Sequence, residues 1–579
     1  MVSKVKKPDY PAVKGKTYAC WDDFKTAFRK CMEASYVLDK TLQGKSLESR
    51  TAAKMIALNL DLTIKEVKIG KKLMRVIYYR HPTDHVYQEL ELSTIESLVS
   101  YIGEAWDCKY DISRLSLNVF KILRADPDES WKIHKYNPAK KHYLYLDNGI
   151  YNLINKDFYL KGSDKFNTIV TTYQFFSKLP FDYLEESQNQ TKLDLFKTFV
   201  NSLASNDEKL KQLIHEIIYA VIDGNGRRKY ILMSGQAGSG KSTLANMLSI
   251  IAGDENVTRL NLTDFGDSNF INGLGMNTRL VIGDDLRKNA KLVGNALANY
   301  KTLVSGQSLS VNVKYEPNRV IECHGVFLQL MNDDPTFYEG GQAMYDRTLL
   351  VRITGKNHRN ATDEAEQEIA KRLDRYTGLL DKEIDRDFFN EIISYILRNV
   401  NNFDKFTVPD GSEKLTKNMV DEGSWSHQFI EDAKDKGLFS FNTLVQNDLV
   451  SMVQTFLKET NPSMKIPSAR MMLKELDPLL EQNNFIKATG RMRSIPLIDY
   501  NYNIVNKYMY NIPPKKTQRH VVYHNITPVV DEDYIENVKT RLNDGDVDLN
   551  NPSMEEIIAI EYLISKNDAA AISAKELFK

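Results

Sequence analysis

Residues 230–242 read YILMSGQAGSGKS: a short apolar run gives way to a glycine-rich loop that ends in Lys-Ser. This order predicts a strand, a tight loop and then the amphipathic helix STLANMLSIIAG. Gly235, Gly238 and Gly240 allow turns that bulkier residues cannot make, so main-chain amides can converge on phosphate oxygens at the start of that helix. Lys241 is spaced to reach the outer phosphates and Ser242 to ligate magnesium. Gly235, Gly238, Ser239, Gly240, Lys241, Ser242 and Thr243 form the expected ATP-binding set, with Mg2+ as the accompanying ion.

A second signal lies about forty residues downstream, where RLVIGDDL (279–286) is a buried-strand pattern ending in two carboxylates. Asp284 is expected to hold the metal, and Asp285 to orient or deprotonate an attacking water. KTLVSGQSLSVNVKYEPNRVIEC (301–323) then reads as a β-hairpin around Glu-Pro-Asn-Arg. Lys314 and Arg319 near its turn are candidates for phosphate contacts with a nucleic-acid strand. The run HGVFLQLM leads to Asn332, an amide placed to sense a γ-phosphate, and YDRTLLVRI (345–353) starts a strand with Arg347 near its beginning. An arginine there suits projection into a neighbouring subunit's ATP site.

The chain is long enough, at 579 residues, for about three or four domains. The expected architecture is multidomain α/β. Residues 1–135 read as mainly helical, 140–222 as a β-rich segment (YLYLDNGIYNLINKDFYL) followed by helices, and 223–360 as the nucleotide-binding core. A helical linker over 361–424, a globular unit over 425–510 and an extension over 511–579 complete the order. Within 425–510, a helix (444–458), a second helix SARMMLKELDPLLEQNN and a β-turn wing FIKATGRMRSIPL suggest a winged-helix-like domain. Arg470, Lys474, Arg491 and Arg493 would face DNA there, while Met471, Met472, Leu473 and Leu476 read as core.

Net charge is zero, with 77 basic and 77 acidic residues, so no global field draws the protein to nucleic acid. The distribution is uneven. Phe485 to His520 holds seven bases against one acid, and Asp531 to Lys579 holds twelve acids against five bases. Cys20, Cys31, Cys108 and Cys323 form no CxxC pair, which argues against a disulfide framework or zinc ribbon and fits a reducing cytoplasm. No apolar run approaches the length of a membrane span, and MVSKVKKPDYPAVKGK has no leader-like apolar core. His81 and His85 match no nuclease spacing.

The motif series GQAGSGKS, LVIGDDL, KTLVSGQSLSVNVKY, LQLMND and DRTLLVRI resembles the superfamily 3 helicases, and most of all the poxvirus-type primase-helicase family of phage, plasmid and mobile-element replication proteins. The resemblance covers residues 140–355. It implies an AAA+-like P-loop ATPase core with a parallel sheet, a helical collar before it, and a hexameric ring that moves along single-stranded DNA in the 3′ to 5′ sense. Unwinding of forked or origin duplex inside a host cell follows, with primase, polymerase or a loader as possible associates and no membrane role. By the same resemblance Lys241, Ser242, Asp284, Asp285, Asn332 and Arg347 take the roles given above, and Lys314 sits on a pore-facing hairpin. Two departures stand out: Ser239 replaces an asparagine common in relatives, and Asn332 is followed by Asp-Asp-Pro. The only Asp-x-Asp before the family region, Asp126-Pro-Asp128, lies in a polar turn, so no primase site is expected. An ATP-switched origin-binding initiator and a small-molecule P-loop kinase remain as other readings; the kinase leaves the hairpin and the basic C-terminal unit unexplained.

Overall fold

The fully apolar run at 230–234 becomes the strand β8 (Tyr230–Ser234), and the fold of the core follows from its having neighbours on both sides. The computed structural model describes residues 13–38, 44–125, 131, 133–284, 286, 292, 294–312, 318–332, 342–355, 364–379, 383–422, 424–436, 438, 443–460, 466–487, 492–493, 519–520, 522–525, 532–547, 554–565 and 568–574. They form two compact units, the second built mainly from residues 418–579.

The first unit opens with α1 (Trp21–Leu38), α2 (Ser49–Asn59), β1 (Leu62–Ile69), β2 (Lys72–Arg80), β3 (Tyr87–Glu89), α3 (Leu92–Ala105), α4 (Ile112–Ala125) and β4 (His134–Lys135). The expectation of a mainly helical segment is therefore incomplete. A four-stranded sheet, β3-β2-β1-β4, runs through it. Its central hairpin pairs Leu62 with Tyr79 through to Ile69 with Lys72, and closes at Gly70, whose φ of 60° is strained for any residue with a side chain. Lysines interleaved with Val67 and Ile69 hide this hairpin from a helix-biased reading, yet they are the alternation of a half-buried strand.

Next come β5 (Tyr143–Tyr145), β6 (Gly149–Asn152) and β7 (Phe158–Leu160), an antiparallel sheet around the Asp-Asn-Gly turn, and α5 (Asp164–Thr172). Helices α6 (Gln190–Ala204) and α7 (Glu208–Asp223) follow, as their periodicity predicts. Asp207 caps α7 by accepting from the Leu210 amide, and Gly224 ends it in the left-handed region.

The core sheet joins β8 to α8 (Lys241–Ala252), β9 (Val257–Arg259), α9 (Ser268–Ile271), β10 (Leu280–Gly283), α10 (Gly294–Val304), β11 (Leu309–Val311), β12 (Arg319–Ile321), β13 (Val326–Met331), α11 (Gln342–Tyr345) and β14 (Thr348–Arg352). Strand order is β14-β8-β13-β10-β9, every pair parallel. All five residues of β8 and all six of β13 are buried, as expected for strands covered on both faces. The predicted hairpin exists as the antiparallel pair β11 and β12.

Helices α12 (Glu364–Tyr376) and α13 (Arg386–Asn399) and the first part of α14 (Ser412–Glu422), as far as Lys417, complete this unit. The segment read as a linker is structural: Phe388, Phe389, Ile392, Ile393, Ile396 and Leu397 of α13 are buried in the same hydrophobic core as α6, α7 and β8.

The second unit contains α15 (Trp425–Asp435), β15 (Thr443–Val445), α16 (Gln446–Thr460), α17 (Ala469–Gln482), β16 (Phe485–Lys487), β17 (Met492–Arg493), β18 (Arg519–His520) and β19 (Val522–Asn525). Strands β15, β19 and β16 form one antiparallel sheet, and β17 pairs with β18. The acidic extension folds into α18 (Glu532–Asp544), α19 (Met554–Ser565) and α20 (Ala569–Ala574), which share a core of Ile535, Val538, Ile560 and Leu563.

Candidate functional site

The glycine loop leaves the end of β8 and turns directly into α8. Gly238 and Gly240 have φ of 81° and 93°, in the region that penalises side chains. A Cβ on Gly240 would lie 2.6 Å from Leu203 Cδ2, and one on Gly235 would lie 2.5 Å from the Ile353 carbonyl. These glycines are fixed by close approach as well as by dihedral.

Lys241, only 6% exposed, is the first residue of α8. Its ammonium donates to the carbonyls of Gly235 (2.5 Å) and Gln236 (3.0 Å), to Ser239 Oγ (3.5 Å) and to Asn332 Oδ1 (3.4 Å). Burial holds its pKa below the usual lysine range. Asn332 reaches it because β13 pairs with β8 in a register that sets Met331 opposite Ser234. The pairing thus delivers an amide predicted from sequence to the lysine's side.

A cavity of about 600 Å³ extends from this loop. Ser242, Thr243, Asp284 and Asn332 line it, together with Phe199 and Leu203 of α6 and Leu373 and Asp374 of α12. Asp284 follows β10 and accepts from Arg259 Nη1 at 3.2 Å, both side chains being exposed. Arg259, the last residue of β9, carries no local sequence signal. It arrives only because β9 pairs with β10, with Ile282 opposite Arg259. A hydroxyl and a carboxylate in one cavity are the hard oxygen donors that Mg2+ takes, so the residues present fit that ion. Asp285 lies outside the described residues, as do Lys314 and Arg491.

Residues 233–347 match a protein family described as a family of unknown function, DUF5906. The matched span runs from within β8 to Arg347, so it takes in the glycine loop, Asp284, the hairpin and Asn332. No curated protein matches the sequence. Among solved structures, the A-form apo C-terminal region of NrS-1 is similar over 80% of this chain and 96% of that one, at 13% identity and a TM-score of 0.36. A second apo structure of the same NrS-1 region gives the same coverage and identity with a TM-score of 0.31.

Arg347 is not part of this chain's own cavity. It precedes β14, and its carbonyl accepts from the Tyr230 amide at the beginning of β8, whereas the glycine loop leaves the other end. At about 3.3 Å per strand residue the two ends of β8 are roughly 15 Å apart. The Arg347 Nε donates to Ser305 Oγ (2.8 Å) and to the Lys301 carbonyl (3.2 Å).

Arg319 departs from its expected role. Its guanidinium donates to Glu89 Oε2 (2.9 Å) and to the Asn272 carbonyl (2.6 Å), so it is held inside the protein instead of being presented to a strand of nucleic acid. In the second unit Arg470 and Lys474 are exposed on α17, and Arg493 lies on β17. Met472 and Leu476 are buried as predicted, but Met471 is 54% exposed beside Arg470. Met471 lies about 100° around the helix from Met472, at the edge of the buried stripe and on the solvent side. Among the described residues, no helix is long and apolar enough to cross a membrane, and no cluster of three or more His, Cys, Asp or Glu is grouped to hold a metal.

Proposed function

We propose that the chain is an ATP-dependent DNA helicase of a phage or other mobile genetic element, working as a hexameric ring on single-stranded DNA and opening duplex at a replication origin. The observation that carries this reading is Lys241, buried at the start of α8 and ringed by loop carbonyls and Asn332 at the mouth of a cavity shared with Ser242 and Asp284. Phosphate oxygens of ATP would take over the acceptor role of those carbonyls, and the loop amides and the α8 N-terminus add further donors. Mg2+ held by Ser242 and Asp284 would neutralise charge between the outer phosphates.

The five-stranded parallel order supports an AAA+-like P-loop core, and α6 and α7 supply the collar. In this scheme Asp285 orients the attacking water, while Asn332 reports the γ-phosphate to Lys241. Arg347 sits too far from its own glycine loop to act there, which favours action at a neighbour's site. In the second unit, the order helix, strand, helix, helix, then a strand pair closed by a long connection supports a winged-helix domain. Its α17 would present Arg470 and Lys474 to DNA, with Arg493 of β17 as a further basic contact.

The test is displacement of a labelled strand from a forked duplex, with ATP turnover followed in the same tube with and without single-stranded DNA. One-directional displacement, absent in Lys241→Ala, is expected. DNA-insensitive turnover without displacement would instead favour the ATP-switched initiator.

A further inference from the structure

The hairpin between β10 and β13 does not stand alone. Its second strand, β12, begins with Arg319, which pairs with Glu89 of β3; side-chain exposures are 21% and 22%. The next residue, Val320, is buried with Val67, Val76, Tyr78, Tyr87 and Phe176. Just past the strand, Glu322 accepts from Lys65 of β1 at 2.7 Å, with exposures of 17% and 14%. The same carboxylate accepts from Ser308 (2.9 Å), before β11, and lies 3.0 Å from His324 Nε2. Lys65 also lies 4.8 Å from the Tyr136 ring centroid. Burial alone would raise the Glu322 carboxyl, but hydrogen bonds from His324, Lys65 and Ser308 outweigh it and bring the group to about 2. At Glu89 burial wins and raises the carboxyl, Arg319 offsetting only part of it.

The second strand is thus tied at both ends to the N-terminal sheet, through side chains more than two hundred residues away in sequence, and Ser308 joins the start of the first strand to the same Glu322 carboxylate. A surface hairpin has no need of two half-buried ion pairs and an aromatic bed. Such an arrangement fixes an element against a load.

We propose that the sheet β3-β2-β1-β4 is a bracket that sets the position of the hairpin, and that Lys65 and Glu89 are positioning residues for its grip on single-stranded DNA. The identity of the gripped strand rests on the helicase reading; the bracket itself does not. Through it, the N-terminal segment takes part in coupling ATP turnover to movement of DNA, although none of its described residues lines the ATP cavity.

The test is a charge-swap cycle in the full chain: Lys65→Glu, Glu322→Lys and the double variant, with Lys65→Gln as a milder change should the reversals fail to fold. Hydrogen exchange of peptides covering 309–311 and 319–321 reads the bracket directly. Each single reversal is expected to speed exchange there by about tenfold and Lys65→Gln by about threefold, while β8 and the glycine loop stay within about twofold of wild type. The double variant should return to within about threefold of wild type. Hairpin exchange unmoved by the single changes, or a double variant no better than either, overturns the proposal. Strand displacement, followed in parallel, should be lost in each single reversal and recovered in the double. A wild-type protein that displaces no strand would defeat the helicase reading while the exchange cycle still decides the bracket.

Discussion

Lys241 and Arg319 are both cations that the sequence offers to phosphate, and the structure treats them in opposite ways. Lys241 is held by oxygens of its own loop, two to six residues away, with Asn332 as its distant partner among the described residues. Arg319 is held by Glu89 and Asn272, which are 230 and 47 residues away. A cation whose surroundings are made by its own backbone can be assigned from a motif. One whose availability depends on a distant carboxylate cannot.

This contrast can be broken most directly at Lys241. Lys241→Ala should lower ATP turnover by roughly 100-fold or more, since positioning and charge stabilisation supply most of the catalysis in phosphoryl transfer. Turnover close to wild type would remove the glycine loop from the chemistry. Arg347→Ala should bind nucleotide normally yet hydrolyse it on the order of 100-fold more slowly. Mixing it with Asp285→Asn subunits should restore part of the lost rate, because some interfaces then combine an intact arginine with an intact carboxylate. No recovery at any mixing ratio would put Arg347 outside a neighbour's site.

Arg319→Ala tests the other side of the contrast. It should leave ATP turnover nearly intact but cost on the order of 2–3 kcal/mol of stability in denaturant unfolding, because Glu89 is left half-buried and unpaired. Weakened DNA binding at unchanged stability would reinstate the direct phosphate contact.

The smallest expected effect is a pH dependence that separates the two regions. His215 of α7 lies between Phe196 and Tyr395, and burial lowers its pKa to about 4. The unfolded chain therefore binds the extra proton first, and the stability that this neutral histidine contributes is full above about 6.5 and lost as pH falls toward 4. Glu322 behaves likewise with a lower window: its contribution is full above 4.5 and lost toward 2. Between pH 6.5 and 4.5 the helical region around α7 should lose about 1–2 kcal/mol while the hairpin base keeps its hydrogen-exchange protection. A His215→Phe variant with the same pH slope would remove His215 as the cause.

Much of the core was legible because its signals are local. The apolar run 230–234, the glycines, the run 280–283 and the run 326–331 each form the element that their pattern predicts, and parallel pairing then brings Lys241, Ser242, Asp284 and Asn332 to one cavity. What escaped was set by pairing across the chain. Arg259 is an ordinary residue until β9 lies beside β10. The N-terminal hairpin, rich in lysine, looked helical because its buried face is supplied by α2 and α4. Met471 and Met472 are indistinguishable by composition, and only the docking of α17 decides which is covered. The acidic tail announced its charge but not that Val538, Ala559 and Ile560 would pack together.

The hydrogen bond from the Tyr230 amide to the Arg347 carbonyl fastens the arginine to one end of the strand whose other end carries the glycine loop. In the proposed ring that strand would work as a rigid rod between two proposed ATP sites, its own and its neighbour's. Tilting one copy to tighten the first site would shift the arginine in the second at the same moment. Cooperativity around such a ring needs no relay of side chains, only the stiffness of a single buried strand.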